Sequence, residues 1–254
     1  MSVVFQVRDL KKNFGGLAVT NDVSMSLSAG DRLALIGPNG AGKTTFVNLV
    51  TGALKPDSGY VYLDGIDVTP LKAAERVRLG LIRSFQVTRL FADMTPEEHI
   101  ALAILQRDGK SGTMFGHYSG RSHVMDEADV ILRQLGLRDL ARLKVREIAY
   151  GQQRLLELAL AVALRPKVLL LDEPAAGVPQ SETGLIEEAL DRLPADLAVL
   201  MIEHDMDLVF RFAKRVVALA AGTVIFDGSP QDVTRDRRVR EAYLGSYADA
   251  GHMA

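Results

Sequence analysis

The sequence predicts an α/β fold centred on a parallel sheet, and three observations carry that prediction. Short, nearly continuous apolar runs at residues 33–36, 168–171 and 197–202 have the length and content of strands buried on both faces. Helical stripes alternate with them along the second half of the chain. Each run ends in residues suited to ligands: Gly37, Asp172-Glu173 and Glu203-His204. In an open parallel sheet, ligands collect beyond the carboxyl ends of the strands, so a glycine-rich loop, two acids and a histidine are expected along one rim.

Taken in order, the amino-terminal part is β-rich: residues 3–7, then the alternation Val23, Met25, Leu27, with Gly15-Gly16 and Ala29-Gly30 as punctuation. After the run at 33–36 comes a glycine-rich turn, then a helix over 44–51 that Gly52 caps. Pro56-Asp57-Ser58-Gly59 is a turn into a strand over 60–63, Asp64-Gly65 is a hairpin corner, and 82–85 is a further strand. From there to Pro166 the pattern is helical. Thr95 can cap the first of these helices, Pro96 suits its first turn and Glu98 completes a capping box. Residues 108–122, rich in Gly and Ser, read as a mobile loop, and Val124, Ala128, Ile131, Leu132 and Leu135 make the next stripe, stopped by Gly136. Residues 148–154 open a helix with the stripe Leu155, Leu158, Ala159 and Val162. A stripe over 185–193 separates the last two buried runs, and Asp205 can cap a helix through Phe212. Residues 216–219 and 223–226 make a closing hairpin, and residues after Gly245 read as an irregular end.

A chain of 254 residues can bury a substantial core and suits a main domain with a subdomain. Its net charge of −2 gives no electrostatic footprint for nucleic acid. The absence of cysteine excludes disulfides, thiolate metal sites and cysteine catalysis, and fits a reducing compartment. No apolar run approaches the roughly 18 residues that cross a bilayer, so a membrane role requires a partner that does the crossing.

The most specific chemistry lies at Gly37, Pro38, Asn39, Gly40, Ala41, Gly42, Lys43, Thr44 and Thr45, a complete G-x-x-x-x-G-K-[ST] loop between a strand and a helix. The three glycines let backbone N–H groups curl toward phosphate oxygens, and the helix start adds its positive dipole end. Lys43 then reaches the β- and γ-phosphates of a nucleoside triphosphate, and Thr44 offers a hydroxyl to Mg²⁺. Asp172, where a buried strand emerges, can hold Mg²⁺, and Glu173 can orient or deprotonate the attacking water. As an isolated pair these acids would be an Asp-Glu turn before Pro174; the phosphate loop favours the catalytic reading. His204 can donate a hydrogen bond to the γ-phosphate; alone it would be a satisfied structural histidine, and its place on the rim favours the functional role. His99, His117, His123 and His252 have no such placement. The helix opening at Ile148-Ala-Tyr-Gly-Gln-Gln-Arg154 presents either a second anion-facing amino terminus or an ordinary tight turn, and the residues alone leave both open.

In order, the phosphate loop, Gln86, Tyr150-Gly151-Gln152-Gln153-Arg154, Leu169-Leu-Leu-Asp-Glu-Pro174 and Glu203-His204-Asp205 resemble the motifs of ATP-binding-cassette (ABC) ATPases. Through Tyr150-Gly151-Gln152-Gln153, Pro174-Ala-Ala-Gly177 and the tail Val239-Arg-Glu-Ala-Tyr-Leu-Gly245, the chain is similar to the ATPase subunits of branched-chain amino acid importers. The resemblance implies a nucleotide-hydrolase core over 1–86 and 166–245 with a mostly parallel sheet and an antiparallel β subdomain, a helical subdomain over 87–165, and a flexible tail over 246–254. It implies that Phe14 stacks on adenine, with a core phenylalanine as the alternative, and that Gln86 touches Mg²⁺. It also implies that Ala149, Tyr150, Gly151, Gln152 and Gln153 contact ATP held by a second ATPase subunit in a head-to-tail dimer. Two departures stand out: Ala149 replaces the family's usual serine, a loss of about 0.5–1.5 kcal/mol of hydrogen bonding, and Pro179 replaces a polar residue.

The reading is an ATPase with ATP and Mg²⁺ as cofactors, bound peripherally to membrane permease subunits on the cytoplasmic side, with no nucleic-acid partner. It energises uptake of a small polar solute such as a branched-chain amino acid. The alternatives are a soluble ABC-type ATPase for assembly or nucleic-acid work, and a weakly hydrolysing nucleotide-binding subunit.

Overall fold

The computed structural model describes residues 2–84, 90–109 and 122–250. In chain order the elements are β1 (Val3–Phe14), β2 (Leu17–Ser28), β3 (Arg32–Ile36), α1 (Lys43–Thr51), β4 (Ser58–Leu63), β5 (Ile66–Asp67), α2 (Ala73–Arg78), β6 (Leu81–Ser84) and α3 (Pro96–Arg107). There follow α4 (Ser122–Gln134), α5 (Tyr150–Ala163), β7 (Val168–Asp172), α6 (Thr183–Asp191), β8 (Ala198–Ile202), α7 (Met206–Phe212), β9 (Arg215–Ala220), β10 (Thr223–Gly228), α8 (Pro230–Val233) and α9 (Arg237–Ala250). The chain forms two compact units. One comprises Met1–Leu81, Lys167–Glu173 and Ala195–Ala254, the other Ile82–Pro166 and Pro174–Pro194.

The first unit packs two sheets on one core. An antiparallel sheet has the order β2–β1–β4–β5, and the strands of a second sheet that lie in this unit have the order β10–β9–β3–β8–β7. Strand β3 runs parallel to both β8 and β9, and β7 runs parallel to β8, so these four strands end on the same edge. Residues 198–202 of β8 and 168–171 of β7 are all buried, which is why their sequences are continuous apolar runs rather than alternations. Phe46, Val47, Leu49 and Val50 of α1 share a core with Phe5, Leu27, Val61, Leu170, Leu200 and Val217. That burial locks in place the helix whose amino terminus follows the glycine-rich loop.

The amino-terminal strands are longer than the sequence suggests. β1 runs on through Arg8-Asp-Leu-Lys-Lys-Asn13 to Phe14, paired with β2 out to Phe14↔Leu17. Residues 8, 9, 13 and 14 are exposed, so no period-2 burial marks this stretch. Backbone pairing holds it, with Asp57, which accepts from Lys12 Nζ and from Asn13 N–H at 2.7 Å each. The short α2 was not foreseen, nor were α8 and α9. α9 continues to Ala250, where an irregular end was expected after Gly245.

The second unit is helical. The stripe Val124, Ala128, Ile131, Leu132, Leu135 is buried, as is Leu155, Leu158, Ala159, Val162 on α5. α3, α4 and α5 pack on one another, with α6 against α5. The capping box forms as its residues predict: Glu98 N–H donates to Thr95 Oγ1 at 3.2 Å, and Thr95 N–H donates to Glu98 Oε2 at 2.8 Å. Arg107 makes two bonds to Glu127, at 2.6 and 3.0 Å, and donates to Ala163 O at 2.8 Å, tying α3 to α4 and to the end of α5. α6 begins at Thr183 rather than at residue 185. The strand expected over 82–85 spans Leu81–Ser84, and Phe85, Gln86 and residues 110–121 of the expected loop lie outside the described residues.

Candidate functional site

In the first unit, the loop from Gly37 to Thr45 leaves β3 and enters α1 at Lys43. Gly37 and Gly42 are glycine for a steric reason. A Cβ on Gly37 (φ +155°) would lie 2.3 Å from Leu219 O, and one on Gly42 (φ +100°) 2.4 Å from Val19 O. The loop is therefore wedged between the backbones of β9 and β2. Gly40 has φ +79° but open space around its Cβ position, so only its dihedral favours glycine. Gly222 N–H donates to Ala41 O at 3.1 Å and Asn21 N–H to Gly222 O at 2.8 Å, fastening the loop to the β9–β10 turn and to β2. No side chain caps α1, and its first turn carries no acid, so its positive end is left to the loop.

Lys43 Nζ bends back to donate to Gly37 O at 2.5 Å and Pro38 O at 3.1 Å. Burial pushes its amine down from the ordinary lysine range, opposed by the negative charges of Glu173 and then Asp172. The same electrostatics tie the loop lysine to both acids. Asp172 is the half-buried last residue of β7, in register with Ile202 of β8. Glu173 turns sharply, with φ +49°, a conformation that costs a non-glycine residue about 1–2 kcal/mol and that recurs at functional sites. Its N–H donates to Ile202 O at 2.9 Å, which holds the turn against the end of β8.

His204 follows β8 by two residues. Its side chain is mostly exposed, and Nδ1 stands 3.7 Å from Glu173 Oε1 and 3.4 Å from Glu203 Oε2. Phosphate loop, Asp172, Glu173 and His204 thus follow the carboxyl ends of β3, β7 and β8, as the strand pattern predicts. Asp205 caps α7, its carboxylate accepting from Asp207 and Leu208 N–H. Phe14 closes β1 with its ring half exposed and Lys12 Nζ 5.8 Å from the ring centre, so it is not a core residue. His99 is buried and satisfied: Nε2 accepts from Phe91 N–H at 3.0 Å and Nδ1 lies 2.9 Å from Thr95 O.

In the second unit, Ala149 caps α5 with no side-chain acceptor, and its own N–H donates to Gln152 Oε1 at 3.1 Å. Gln153 turns inward, donating to Val145 O and Ile148 O. Tyr150 is exposed, with the Arg154 guanidinium 5.3 Å from its ring centre. Gly151 N–H donates to Glu182 Oε2 at 2.8 Å, and a Cβ on Gly151 would lie 2.4 Å from that oxygen. The chain's own Glu182 carboxylate thus takes the Gly151 N–H at this helix start, where the helix dipole favours a negative group.

The sequence reading gave no role to Glu182 or Glu203. Glu182 is 31 residues from Gly151 and has no local signal; Glu203 has one, because a carboxylate directly after six apolar residues enters the site with its strand.

Residues 20–176 match the family described as ABC transporter, and residues 223–249 match the branched-chain amino acid ATP-binding cassette transporter family. The chain is 37% identical over 247 residues to the high-affinity branched-chain amino acid transport ATP-binding protein LivG of Salmonella typhimurium, covering 94% of this chain and 96% of the relative. It is 35% identical over 250 residues to the corresponding protein BraF of Pseudomonas aeruginosa, covering 95% and 98%. The fold is similar to the ADP conformation of MJ1267, an ATP-binding cassette of an ABC transporter, with TM-score 0.82, 30% identity, and coverage of 96% of this chain and 100% of that one.

Proposed function

Since this chain belongs to the ABC transporter family of ATP-binding cassettes, we propose that it is the ATP-hydrolysing subunit of an importer for branched-chain or related amino acids. The observation that supports this most is the shared strand edge, where the phosphate loop, Asp172, Glu173 and His204 meet and the Lys43 charge feels both acids. The match of residues 223–249 to the branched-chain amino acid family supports the solute class.

In this reading the triphosphate lies along Gly37–Thr45, with Lys43 released from Gly37 O and Pro38 O onto the β- and γ-phosphates, and Phe14 stacked on adenine. The donor set of Thr44 hydroxyl and Asp172 carboxylate is all oxygen and fits Mg²⁺, with Gln86 as a further ligand. When bound, the cation offsets phosphate charge. Glu173 accepts a proton from the water that adds to the γ-phosphorus as the bond to the β–γ bridging oxygen breaks, giving ADP and phosphate. His204 holds the γ-phosphate. The α5 start, with Tyr150, Gly151, Gln152 and Gln153, meets the nucleotide of a second ATPase subunit, and Gly151 N–H, released from Glu182 Oε2, supplies the donor that Ala149 lacks. Among the described residues no helix is long and apolar enough to cross a membrane, which is consistent with a peripheral subunit on the cytoplasmic face of a permease.

The experiment is purification from native membranes with and without Glu173→Gln. The wild-type chain is expected to bring down a polytopic membrane protein and release phosphate. Glu173→Gln is expected to bind ATP and prolong the ATP-bound dimer while losing about 10²- to 10⁴-fold in turnover. Unchanged turnover would refute the role of Glu173, and a soluble partner would refute the importer.

A further inference from the structure

Phe14 stands at the open tip of the β1–β2 ribbon, paired across it with Leu17, and its ring is 51% exposed. A ring at a hairpin end, outside the core, makes a poor platform for a planar ligand unless the backbone and the ring are held in place beforehand. The neighbouring strand does not hold them. β1 pairs with β4 only as far as Lys11↔Ser58, so residues 12–14 lie beyond the end of that ladder.

Asp57, the residue before β4, takes the place of the missing strand. Its N–H donates to Lys11 O at 2.9 Å, its Oδ2 accepts from Asn13 N–H at 2.7 Å, and its Oδ1 accepts from Lys12 Nζ at 2.7 Å. Both carboxylate oxygens are thus committed, each to a different donor of the ribbon. The bond from Lys12, and after it the bond from Asn13, holds this carboxyl below the ordinary aspartate range, so it is ionised at neutral pH. The Lys12 side chain is only 16% exposed, and its Nζ lies over the Phe14 ring, 5.8 Å from the centre and within cation–π range. With the cation over one face, a flat base has the opposite face to stack on.

We propose that Asp57 is a positioning residue for the nucleobase: through Asn13 and Lys12 it fixes Phe14 as the platform on which the purine of ATP stacks. The inference rests on the ATPase reading above, in which Phe14 meets adenine. An aspartate that merely closed the turn into β4 would need neither carboxylate bond, because its own N–H already ties that turn to Lys11 O.

Asp57→Asn keeps the size of the side chain but offers one acceptor where two donors must be met, so one of the two bonds is lost. Binding titrations of the full chain with Mg-ATP and with Mg-tripolyphosphate, which has phosphates and no base, separate the base platform from the phosphate loop. In Asp57→Asn the Kd for ATP is expected to rise about three- to tenfold, part of what a stacked base contributes, with the Kd for tripolyphosphate within about twofold of wild type. In a Phe14→Ala background the same change is expected to alter the Kd for ATP less than about twofold, because the ring it acts through is gone. Equal losses for the two ligands would make Asp57 a support of the phosphate loop and overturn the proposal. So would unchanged ATP binding in Asp57→Asn, or a full loss that persists without Phe14. A wild-type chain that binds neither ligand would refute the ATPase reading itself and the proposal with it; the preceding outcomes, in a wild type that binds both, refute the proposal alone.

Discussion

Replacing Arg76 with methionine tests how the phosphate-loop helix is held at its far end. The guanidinium is 2% exposed and donates to Leu49 O at 2.9 Å, Val50 O at 2.7 Å, Thr69 O at 2.9 Å and Leu71 O at 3.1 Å. Two of those acceptors are last-turn carbonyls of α1, where a cation also complements the negative end of the helix. Gly52, which ends α1, has no room for a Cβ because Arg76 Nε would lie 2.8 Å away. Methionine keeps the apolar stem and removes every donor. Each charged bond is worth about 1.5–3 kcal/mol, but they share one group and do not add, so the expected loss is about 3–5 kcal/mol. For a chain of this size that lowers the melting temperature by about 6–20 °C, since each kcal/mol shifts it by about 2–4 °C. Thermal melting followed by circular dichroism, with and without ATP, measures this. A shift below about 3 °C would refute the idea that Arg76 anchors α1.

Gly42→Ala is expected to abolish ATP binding, because its Cβ collides with Val19 O, a backbone atom; Gly40→Ala, with open space and only dihedral strain, is expected to cost about 1–2 kcal/mol. Titration with a fluorescent ATP analogue checks the pair, and equal losses would contradict the wedged-loop account. Glu127 is held below the ordinary glutamate range, first by its hydrogen bonds from Arg107 and against the opposing effect of burial. Its contribution is therefore fully present above the unfolded pKa of about 4.3 and is lost as pH falls through the lower folded value. Acid melts of Glu127→Gln are expected to begin from a lower melting temperature at neutral pH and to fall less steeply below about pH 4.5 than wild type; parallel curves would exclude the linkage.

What the sequence determined by itself follows from local patterns. Strands β3, β7 and β8 were legible because burial on both faces demands unbroken apolar runs. The α4 and α5 stripes and the Thr95 capping box were legible because their signals lie within a few residues. Gly37, Asp172, Glu173 and His204 could be named because each stands at or just beyond the end of such a strand, and Lys43 because it completes the glycine-rich loop motif that follows β3. The exposed half of the β1–β2 ribbon was not, because backbone pairing without a buried face leaves no period in the side chains.

Only the tertiary structure decided the arrangements that join distant segments. These include the wedge of Gly42 against Val19 and the Arg76 anchor beneath α1. They also include the Glu182 carboxylate on Gly151 N–H and the clustering of Pro174–Pro194 with the helical unit. A sequence pattern reports whether a position is buried or solvated, whereas a hydrogen bond or steric contact between segments tens of residues apart depends on where the folded backbone brings them. Glu203 stands between the two cases: its place after β8 was written in the sequence, but the two amides and the Nδ1 that converge on one of its oxygens emerged only with the fold.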